Sequence, residues 1–329
     1  MQQRPRYARP VVTRSKLVLE MAGQLAADNN WPLQQASISL RPQGGDAKPV
    51  VLFGSDSYEA IDQVARGEVQ LAIINPAEPI TLALRGTGPF KEPIPLRAIA
   101  VIPSLDSYAF AVSERTGLTS LEDIRDQKYP LRVSLRGQRD HSNHFFEKVV
   151  LETMGFSLED IESWGGQVRY DPGLPNGVST SGKNIELTRI DLAKRGDVDA
   201  IFDEAVNAWV GHALDAGMRI LPLKESVVAK LESMGFRRSY IKKERWPKLP
   251  ADVLALDFSG WPIYTHANVS DEVISSFCAA LEARKDHIPW QGEGSLPLER
   301  MCKDTPEGPL DIPLHPAAER FWKERGYLD

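Results

Sequence analysis

Two segments of the chain share one pattern, and this pattern constrains the fold more than any other feature. The first is Arg66-Gly-Glu-Val-Gln-Leu-Ala-Ile-Ile-Asn-Pro76 and the second is Arg195-Gly-Asp-Val-Asp-Ala-Ile-Phe-Asp-Glu204. In both, a helical stretch ends at a glycine, an acidic residue follows, and a short apolar run then ends at polar residues. The pattern predicts a helix closed by a C-cap glycine, then a buried parallel strand, then a loop.

The two copies of this pattern predict a two-lobed α/β protein. Ligands bind at the carboxyl ends of the strands in open α/β sheets. The 329 residues are enough for two domains, so we expect two lobes that face each other across a cleft. The first lobe is predicted over residues 1–106 plus 255–329 and the second over residues 107–254. Because strands and helices alternate, each lobe is predicted to be a mostly parallel sheet flanked by helices.

Local patterns predict several further elements. Apolar residues at helical spacing predict a helix at 17–25, and Thr-Ser-Leu-Glu at 119–122 has the spacing of a capping box that opens another. Residues 255–265 are predicted to be one extended strand that returns to the first lobe. Ser270 is predicted to N-cap a long helix. The segment 171–183 is rich in Gly, Pro, Ser and Asn, and this composition is typical of a surface loop.

Charge and hydropathy exclude several classes of partner. The net charge is −6 and basic residues do not form a stripe with interleaved aromatics, so we expect no nucleic-acid partner. No stretch reaches the roughly 20 apolar residues of a membrane span, so we expect no insertion into a membrane. The basic start, from Met1 to Lys16, lacks the apolar run of a secretory signal peptide. The chain as written is therefore expected in the cytoplasm, or in the periplasm if a leader was removed or omitted.

The two cysteines, Cys278 and Cys302, give no sign of a metal site. Cys278 lies within an apolar helical pattern, which is typical of a buried free thiol. A disulfide between them has no support from the pattern, and their spacing does not match any metal-ligand motif.

The segment from Ser134 to His144, between a predicted strand and a predicted helix, holds the densest group of polar side chains. Backbone N–H groups and the dipole at a helix N-terminus favour an anion, and Gly137 permits a tight turn. Arg136 or Arg139 could hold a carboxylate through paired hydrogen bonds. The alternative interpretation is a polar helix cap whose arginines point to solvent.

His141 and His144 lie three residues apart, a spacing that can place both on one helical face. A zinc site needs a third and usually a fourth ligand, and the sequence supplies no obvious candidate. We therefore expect hydrogen-bonding roles for the histidines, no metal and no cofactor. The chain also lacks a Gly-x-Ser-x-Gly elbow, a P-loop and a dinucleotide-binding fingerprint.

Other candidate ligand-binding residues lie near predicted strand ends. Gly54, Ser55 and Ser57 precede a helix, where they could bind a ligand's polar end or simply cap the helix. Asn75 ends the first repeated strand. The second repeated strand ends at two acidic residues, Asp203 and Glu204. They could receive a ligand amine or pair with the arginines of the 134–144 segment, and the sequence leaves these alternatives open.

Trp261 is a further candidate, because it lies in the aromatic and hydroxyl-rich segment 257–262 on the expected crossover between the lobes. Its ring could pack against a ligand. An aromatic residue at such a position is at least as often part of the hydrophobic core.

The chain resembles the TAXI family of solute receptors of tripartite ATP-independent (TRAP) transporters, which have the type II periplasmic binding protein fold. The resemblance rests on four internal segments and on the tail Ile312-Pro-Leu-His-Pro-Ala-Ala-Glu-Arg-Phe321; the internal segments are 66–73, 90–98, 116–124 and 196–202. Two features depart from the family: its opening strand with a Gly-Gly-Thr-Tyr loop is not recognisable, and residues 136–144 are more charged than usual.

The resemblance implies a cleft that closes on a small carboxylate or amino-acid-like solute without a reaction, with TRAP membrane subunits as partners. It assigns Gly54 and Ser55 to the ligand loop of the first lobe, and Ser134, Gly137 and Arg139 to that of the second. The alternative is a cytoplasmic, decarboxylase-like enzyme on the same scaffold, with His141, His144 and Asp203 as acid–base groups. A cytoplasmic sensor that acts through a partner protein is a third possibility.

Overall fold

A computed structural model describes residues 14–29, 35–41, 48–55, 57–171 and 188–329. The first thirteen residues of the basic start, and nearly all of the segment 171–183 that was predicted as a surface loop, lie outside the described residues.

The described residues form twelve strands and twelve α-helices, which are interspersed along the chain. The strands are β1 (Gln35–Leu40), β2 (Val50–Ser55), β3 (Leu71–Ile74), β4 (Leu96–Ile102), β5 (Ser107–Ser113), β6 (Arg132–Arg136), β7 (Gln167–Asp171), β8 (Ala200–Asp203), β9 (Met218–Ile220), β10 (Arg238–Ile241), β11 (Val253–Asp257) and β12 (Trp261–His266). The helices are α1 (Arg14–Asn29), α2 (Glu59–Ala65), α3 (Glu78–Arg85), α4 (Leu121–Asp126), α5 (Ser142–Thr153), α6 (Leu158–Ser163), α7 (Thr188–Arg195), α8 (Val206–Asp215), α9 (Glu225–Met234), α10 (Asp271–Arg284), α11 (Leu298–Met301) and α12 (Pro316–Glu324).

These strands form two sheets, one in each lobe, and helices flank both, which confirms the predicted α/β class. The first sheet has the order β1-β2-β3-β12-β4 and the second the order β10-β11-β5-β8-β6-β7, with β9 paired to β5. The sheets are mixed rather than mostly parallel. Among the described strands, only β2–β3, β6–β7 and β6–β8 pair in parallel, and the other pairs, including those of β5, β11 and β12 at the crossovers, are antiparallel.

Both copies of the repeated sequence pattern have the predicted local structure. The helices α2 and α7 are followed by Gly67 and Gly196, with φ angles of 73° and 81°, and then by the strands β3 and β8. Glycine is favoured there because a left-handed backbone is costly for other residues. The repeat therefore places one strand of the same kind in each sheet.

Two crossovers join the sheets, from β4 to β5 and from β11 to β12. The segment 255–265 is thus two strands in different sheets, and not the single extended strand that the sequence predicts. The break comes at Gly260, whose φ is 83° and where a Cβ would lie 2.8 Å from Val101 Cγ1. The crossovers are tied together, because Phe258 N donates to Asp106 O over 3.1 Å and Asp106 N donates to Ser259 Oγ over 3.1 Å.

The hydrophobic core covers both faces of each sheet. In β4, Leu96 and Ala98 pack on one face with α2 and α3, whereas Ile99 packs on the other with α10 and α12. The second sheet alternates in the same way, with Phe110 and Ala111 on opposite faces. The helix α1 differs, because several of its large apolar side chains are exposed; Leu17, Val18, Met21 and Leu25 are each more than half exposed.

The capping box predicted at 119–122 lies one residue later. Ser120 caps α4 and its Oγ accepts from Asp123 N over 3.2 Å, while the Asp123 carboxylate accepts from Ser120 N over 2.9 Å. The backbone N–H of Thr119 also donates to the Asp123 carboxylate, over 2.7 Å, so Thr119 and Ser120 both contact the acidic residue of the capping box. Ser270 occupies the N-cap position of α10 as predicted, but its side chain makes no capping hydrogen bond.

Candidate functional site

A cavity of about 730 Å³ lies between the two lobes. The first lobe contributes residues 57–59, at the start of α2, and residues 88–89 after α3. The second contributes the loop before α5, much of α5 and two side chains of α9. Basic and acidic groups both line the cavity: Arg139, Lys148 and Lys230, and Glu59, Asp140 and Glu152.

Arg139 is held against the wall of this cavity by an aromatic ring. Its guanidinium carbon lies 3.5 Å from the centroid of the Tyr170 ring, a cation–π contact. Tyr170 lies in β7, next to the strand β6 that leads into the loop, so the sheet positions the ring. Stacking uses the face of the guanidinium and not the N–H groups at its edge, which are the groups that bind carboxylates.

Behind the cavity, Asp203 is the centre of a buried polar cluster. Its carboxylate accepts hydrogen bonds from Arg136 over 2.8 Å, from Asn143 over 2.7 Å and from Arg189. Burial alone would raise the pKa of Asp203, but Arg136 and Arg189 outweigh burial and lower this pKa to about 2. Asp203 is therefore a carboxylate at neutral pH and cannot serve as a proton donor.

Arg136 forms ion pairs with both acidic residues at the end of β8. Besides its bonds to Asp203, its guanidinium lies 3.1 Å from Glu204 Oε1. The sequence left open whether Asp203 and Glu204 receive a ligand amine or pair with an arginine of the loop, and in the structure they pair with Arg136.

Arg189 belongs to this cluster and was not identified from the sequence. It is 1% exposed, and its Nε donates to Ser134 Oγ over 3.0 Å while its terminal nitrogens bond Asp203 and the Ser134 carbonyl. Ser134 Oγ in turn donates to Asp171 Oδ2 over 2.8 Å. A single arginine in a predicted helix gives no sequence signal of this role, since its burial results from tertiary packing.

His141 is a buried, neutral cap of α5. Its Nδ1 accepts from Asn143 N over 3.1 Å, and its Nε2 lies 3.5 Å from Glu204 Oε1. Burial and the nearby Arg136 charge lower the pKa of His141 well below its usual value. Because its Nδ1 is an acceptor in the neutral ring, Nε2 carries the proton and faces Glu204.

His144 lines the cavity, but both of its ring nitrogens are engaged within the protein. Nε2 donates to Gln138 O over 2.9 Å, and Nδ1 lies 3.1 Å from Glu147 Oε2. Tyr108 donates to the other oxygen of Glu147. Burial raises the pKa of Glu147; burial also opposes the charge on His144, but its hydrogen bond to Glu147 prevails and raises the pKa of His144. This arrangement favours a structural role over acid–base catalysis by His144.

The structure brings some of the remaining candidate residues to the cavity and leaves others elsewhere. Ser57 lines the cavity, and Ser55 lies beside it, since Ser55 Oγ accepts from Ser57 N over 2.9 Å. Gly54 is paired within the first sheet, Asn75 is half-buried after β3, and Gly137 is exposed in the turn after β6. Trp261 packs against the hydrophobic cluster beneath α10 and α12.

In the described part of the chain, no group of three or more His, Cys, Asp or Glu side chains is placed to hold a metal ion. Cys278 and Cys302 are buried free thiols. None of the helices in the described ranges combines the length and the apolar character needed to cross a membrane.

The chain matches no protein-family model and no curated protein. It does resemble solved structures of solute-binding proteins. With the periplasmic aliphatic sulphonate binding protein of Escherichia coli it shares 13% identity over 69% of this chain and 58% of that one, with a TM-score of 0.34. With the glycine/betaine/L-proline-binding protein of Borrelia burgdorferi it shares 6% identity over 68% of this chain and 66% of that one, with a TM-score of 0.36.

A third similar structure is the tungstate binding protein of Desulfovibrio alaskensis, with 10% identity over 72% of this chain and 81% of that one, and a TM-score of 0.34. The chain thus spans less than two thirds of the length of two of these three proteins. At such identities and TM-scores the likeness carries no information about the ligand or partner of this chain.

Proposed function

We propose that this chain is a small-molecule binding protein that closes its two lobes on an anionic solute, a small carboxylate or an amino acid. The cavity between the lobes is the observation that carries the proposal. Its volume of about 730 Å³ lies within the range of small-molecule sites, and residues of both lobes line it. Because two crossovers join the lobes, a hinge motion can open and close such a cavity.

Arg139 is the proposed anion-binding residue. Its stacking on Tyr170 fixes the guanidinium plane before the ligand arrives, which reduces the entropy lost on binding. Arg136, the other candidate, supports the loop from behind through Asp203 and Glu204. Ser57 supplies a hydroxyl from the first lobe, and Glu59 on the same wall suits the amino group of an amino acid.

We propose further that the protein is a receptor of the TAXI type that delivers its solute to TRAP membrane subunits. The sequence resemblance, above all the tail at 312–321, supports this more specific assignment. The enzyme alternative has less support from the site. Its acid–base candidates His141, His144 and Asp203 all make hydrogen bonds within the protein.

The test is a thermal-shift screen against amino acids, dicarboxylates and aromatic acids, followed by calorimetry of each hit. A ligand at a hundredfold excess over its Kd stabilises the native state by about 2.7 kcal/mol. We expect a hit that is recovered unchanged, and we expect Arg139→Ala to weaken its binding by at least about 1.5 kcal/mol, since a charge-assisted hydrogen bond is lost.

Arg245→Ala is the matched control, because Arg245 also lies over an aromatic ring, that of Trp246, but outside the cavity. It should bind the hit like the parent. Equal binding by the parent and Arg139→Ala would remove Arg139 from the site, and conversion of the hit into a product would identify the protein as an enzyme.

A further inference from the structure

A second cavity, of about 470 Å³, lies at the crossovers between the lobes. Its walls come from both crossovers, the second lobe and the tail of the first lobe; they are residues 105–107, 206–207, 237–242, 245–246, 257, 259 and 304–306. The two cavities share no lining residue. Val149 of the first cavity and Ile241 of the second belong to the hydrophobic cores on opposite faces of the second sheet. The second cavity is therefore a separate site.

Exposed apolar side chains are concentrated at the two cavities. Beyond residue 40, three large hydrophobic side chains are exposed in the described part of the chain, and each of them lines a cavity. Tyr58 lines the first cavity, whereas Leu105 and Tyr240, which are 54% and 39% exposed, line the second. Apolar groups in a concave site are typical of ligand pockets, so the second cavity is suited to a ligand with an apolar body.

The acidic groups of the second cavity already have donors within the protein. Asp106 accepts from three backbone N–H groups, and Asp257 accepts from both the N–H and the hydroxyl of Ser259. Asp257 and Asp304 also lie 3.4 and 3.9 Å from the guanidinium of Arg237. These carboxyl groups therefore leave little capacity for a cationic ligand.

Arg245 is the cation of this cavity that is placed to bind an anion. Arg238 and Lys242 on the same wall both pair with carboxylates that lie outside the cavity. The Arg245 guanidinium lies 5.2 Å from the centroid of the Trp246 ring, and no described residue accepts a hydrogen bond from it. A contact with a ring uses the face of a guanidinium and leaves its N–H edge for a carboxylate.

We propose that the second cavity binds a small aromatic carboxylate, with its ring against Leu105 and Tyr240 and its carboxylate on Arg245. The volume of about 470 Å³ lies within the range of small-molecule sites. Because both crossovers line the cavity, the bound acid also contacts the segments about which the lobes would move. The site does not depend on solute binding in the first cavity, since the two have no lining residue in common.

Calorimetric titration of the full chain with 2-naphthoate tests the proposal. We expect a Kd on the order of 0.1 to 1 mM, as is usual for so small a ligand. The neutral 2-naphthamide should bind at least about tenfold more weakly, because it lacks the charge that Arg245 recognises. Acetate keeps the carboxylate but lacks the ring, and it should show no binding at about 10 mM.

Two variants of the cavity test the contacts. Arg245→Ala should weaken 2-naphthoate binding at least about tenfold, and Tyr240→Ala about threefold to tenfold. Both side chains are exposed, so each variant should unfold at the temperature of the parent. Arg325→Ala is the matched control, because Arg325 also lies over an aromatic ring, that of Phe321, outside both cavities; it should bind 2-naphthoate like the parent.

Hydrogen exchange locates the bound acid independently of the variants. 2-Naphthoate should slow backbone exchange in segments 105–107 and 237–246 and leave segment 144–153, at the first cavity, unchanged. Three results would overturn the proposal: no binding of 2-naphthoate at about 10 mM, equal binding by the parent and Arg245→Ala, or protection confined to segment 144–153 with a loss of binding in Arg139→Ala. None of them bears on whether an amino acid or dicarboxylate binds in the first cavity, so the two proposals can fail separately.

Discussion

Asp203 shows how a charged residue can be buried without being reactive. Its carboxylate accepts hydrogen bonds from Arg136, Arg189 and Asn143, and also from the backbone N–H of Glu204. Its pKa of about 2 lies below the ordinary value of about 3.9. The ionised form therefore stabilises the folded state above about pH 4, and this contribution is lost as the pH falls toward 2.

Arg189→Met should be strongly destabilising, because it leaves the buried Asp203 with one fewer cation. Breaking a buried ion pair costs about 3–5 kcal/mol of unfolding free energy. The loss should be greatest at neutral pH and should shrink as the pH falls below about 4, since protonation of Asp203 removes the negative charge that Arg189 neutralises in the parent. Urea unfolding at several pH values measures both effects.

Arg169→Met is the matched control for this variant. Arg169 pairs with Asp171 over 3.1 Å, but its side chain is 34% exposed, so the cost should be at most about 1 kcal/mol. An equal loss in the two variants would contradict the role assigned to Arg189.

At the residue scale the sequence predicts where polar groups concentrate but not how they pair. Arg136, Asp203 and Glu204 were all identified as candidates, yet the ion pair that joins them depends on the neighbouring positions of β6 and β8 in the sheet. Arg189 and Glu147 lie in helices with no local motif, so only the tertiary fold shows that they are buried.

The elements are more predictable, because their start and stop signals are local. Gly67 and Gly196 mark the ends of their helices in the sequence, and the structure confirms both. The prediction of a single strand over 255–265 is wrong, because a crossover between the sheets interrupts this strand-like run at Gly260. Sheet membership is a long-range property, so the residues on either side of Gly260 carry no local sign of the change.

Helix caps provide a test at this scale. Ser120 and Ser157 both form capping boxes, with Asp123 and Asp160, whereas Ser270 occupies the same position without a side-chain hydrogen bond. Ser120→Ala and Ser157→Ala should each lower the unfolding free energy by about 1 kcal/mol.

Ser270→Ala is the control among the caps and should change stability by less than about 0.5 kcal/mol, since no capping hydrogen bond is lost. Chemical denaturation of the three variants measures the differences. A loss at Ser270 as large as that at Ser120 would show that the side-chain bond is not the source of the cap's contribution.

On the scale of the whole molecule, a few side-chain contacts join the lobes in addition to the two crossovers. Arg237, just before β10 in the second lobe, bonds Asp311 of the first over 2.7 Å. Thr87 Oγ1 donates to the carbonyl oxygen of Met234 over 2.6 Å, which joins the end of α3 to the end of α9. Under the proposed hinge motion, such contacts would break without disturbing either core, and their strength would then shift the balance between open and closed lobes.

Arg237→Ala should shift this balance toward the open arrangement. The pair with Asp311 is partly exposed, so its loss is worth about 1 kcal/mol, or about a fivefold change in the ratio of the two arrangements. Small-angle X-ray scattering without ligand should show a larger radius of gyration than in the parent. Arg238→Ala is the neighbouring control, because Arg238 pairs only with Glu225 and Glu232 among the ion pairs of the described residues, both within the second lobe. Equal radii for the two variants would mean that Arg237 does not hold the lobes together.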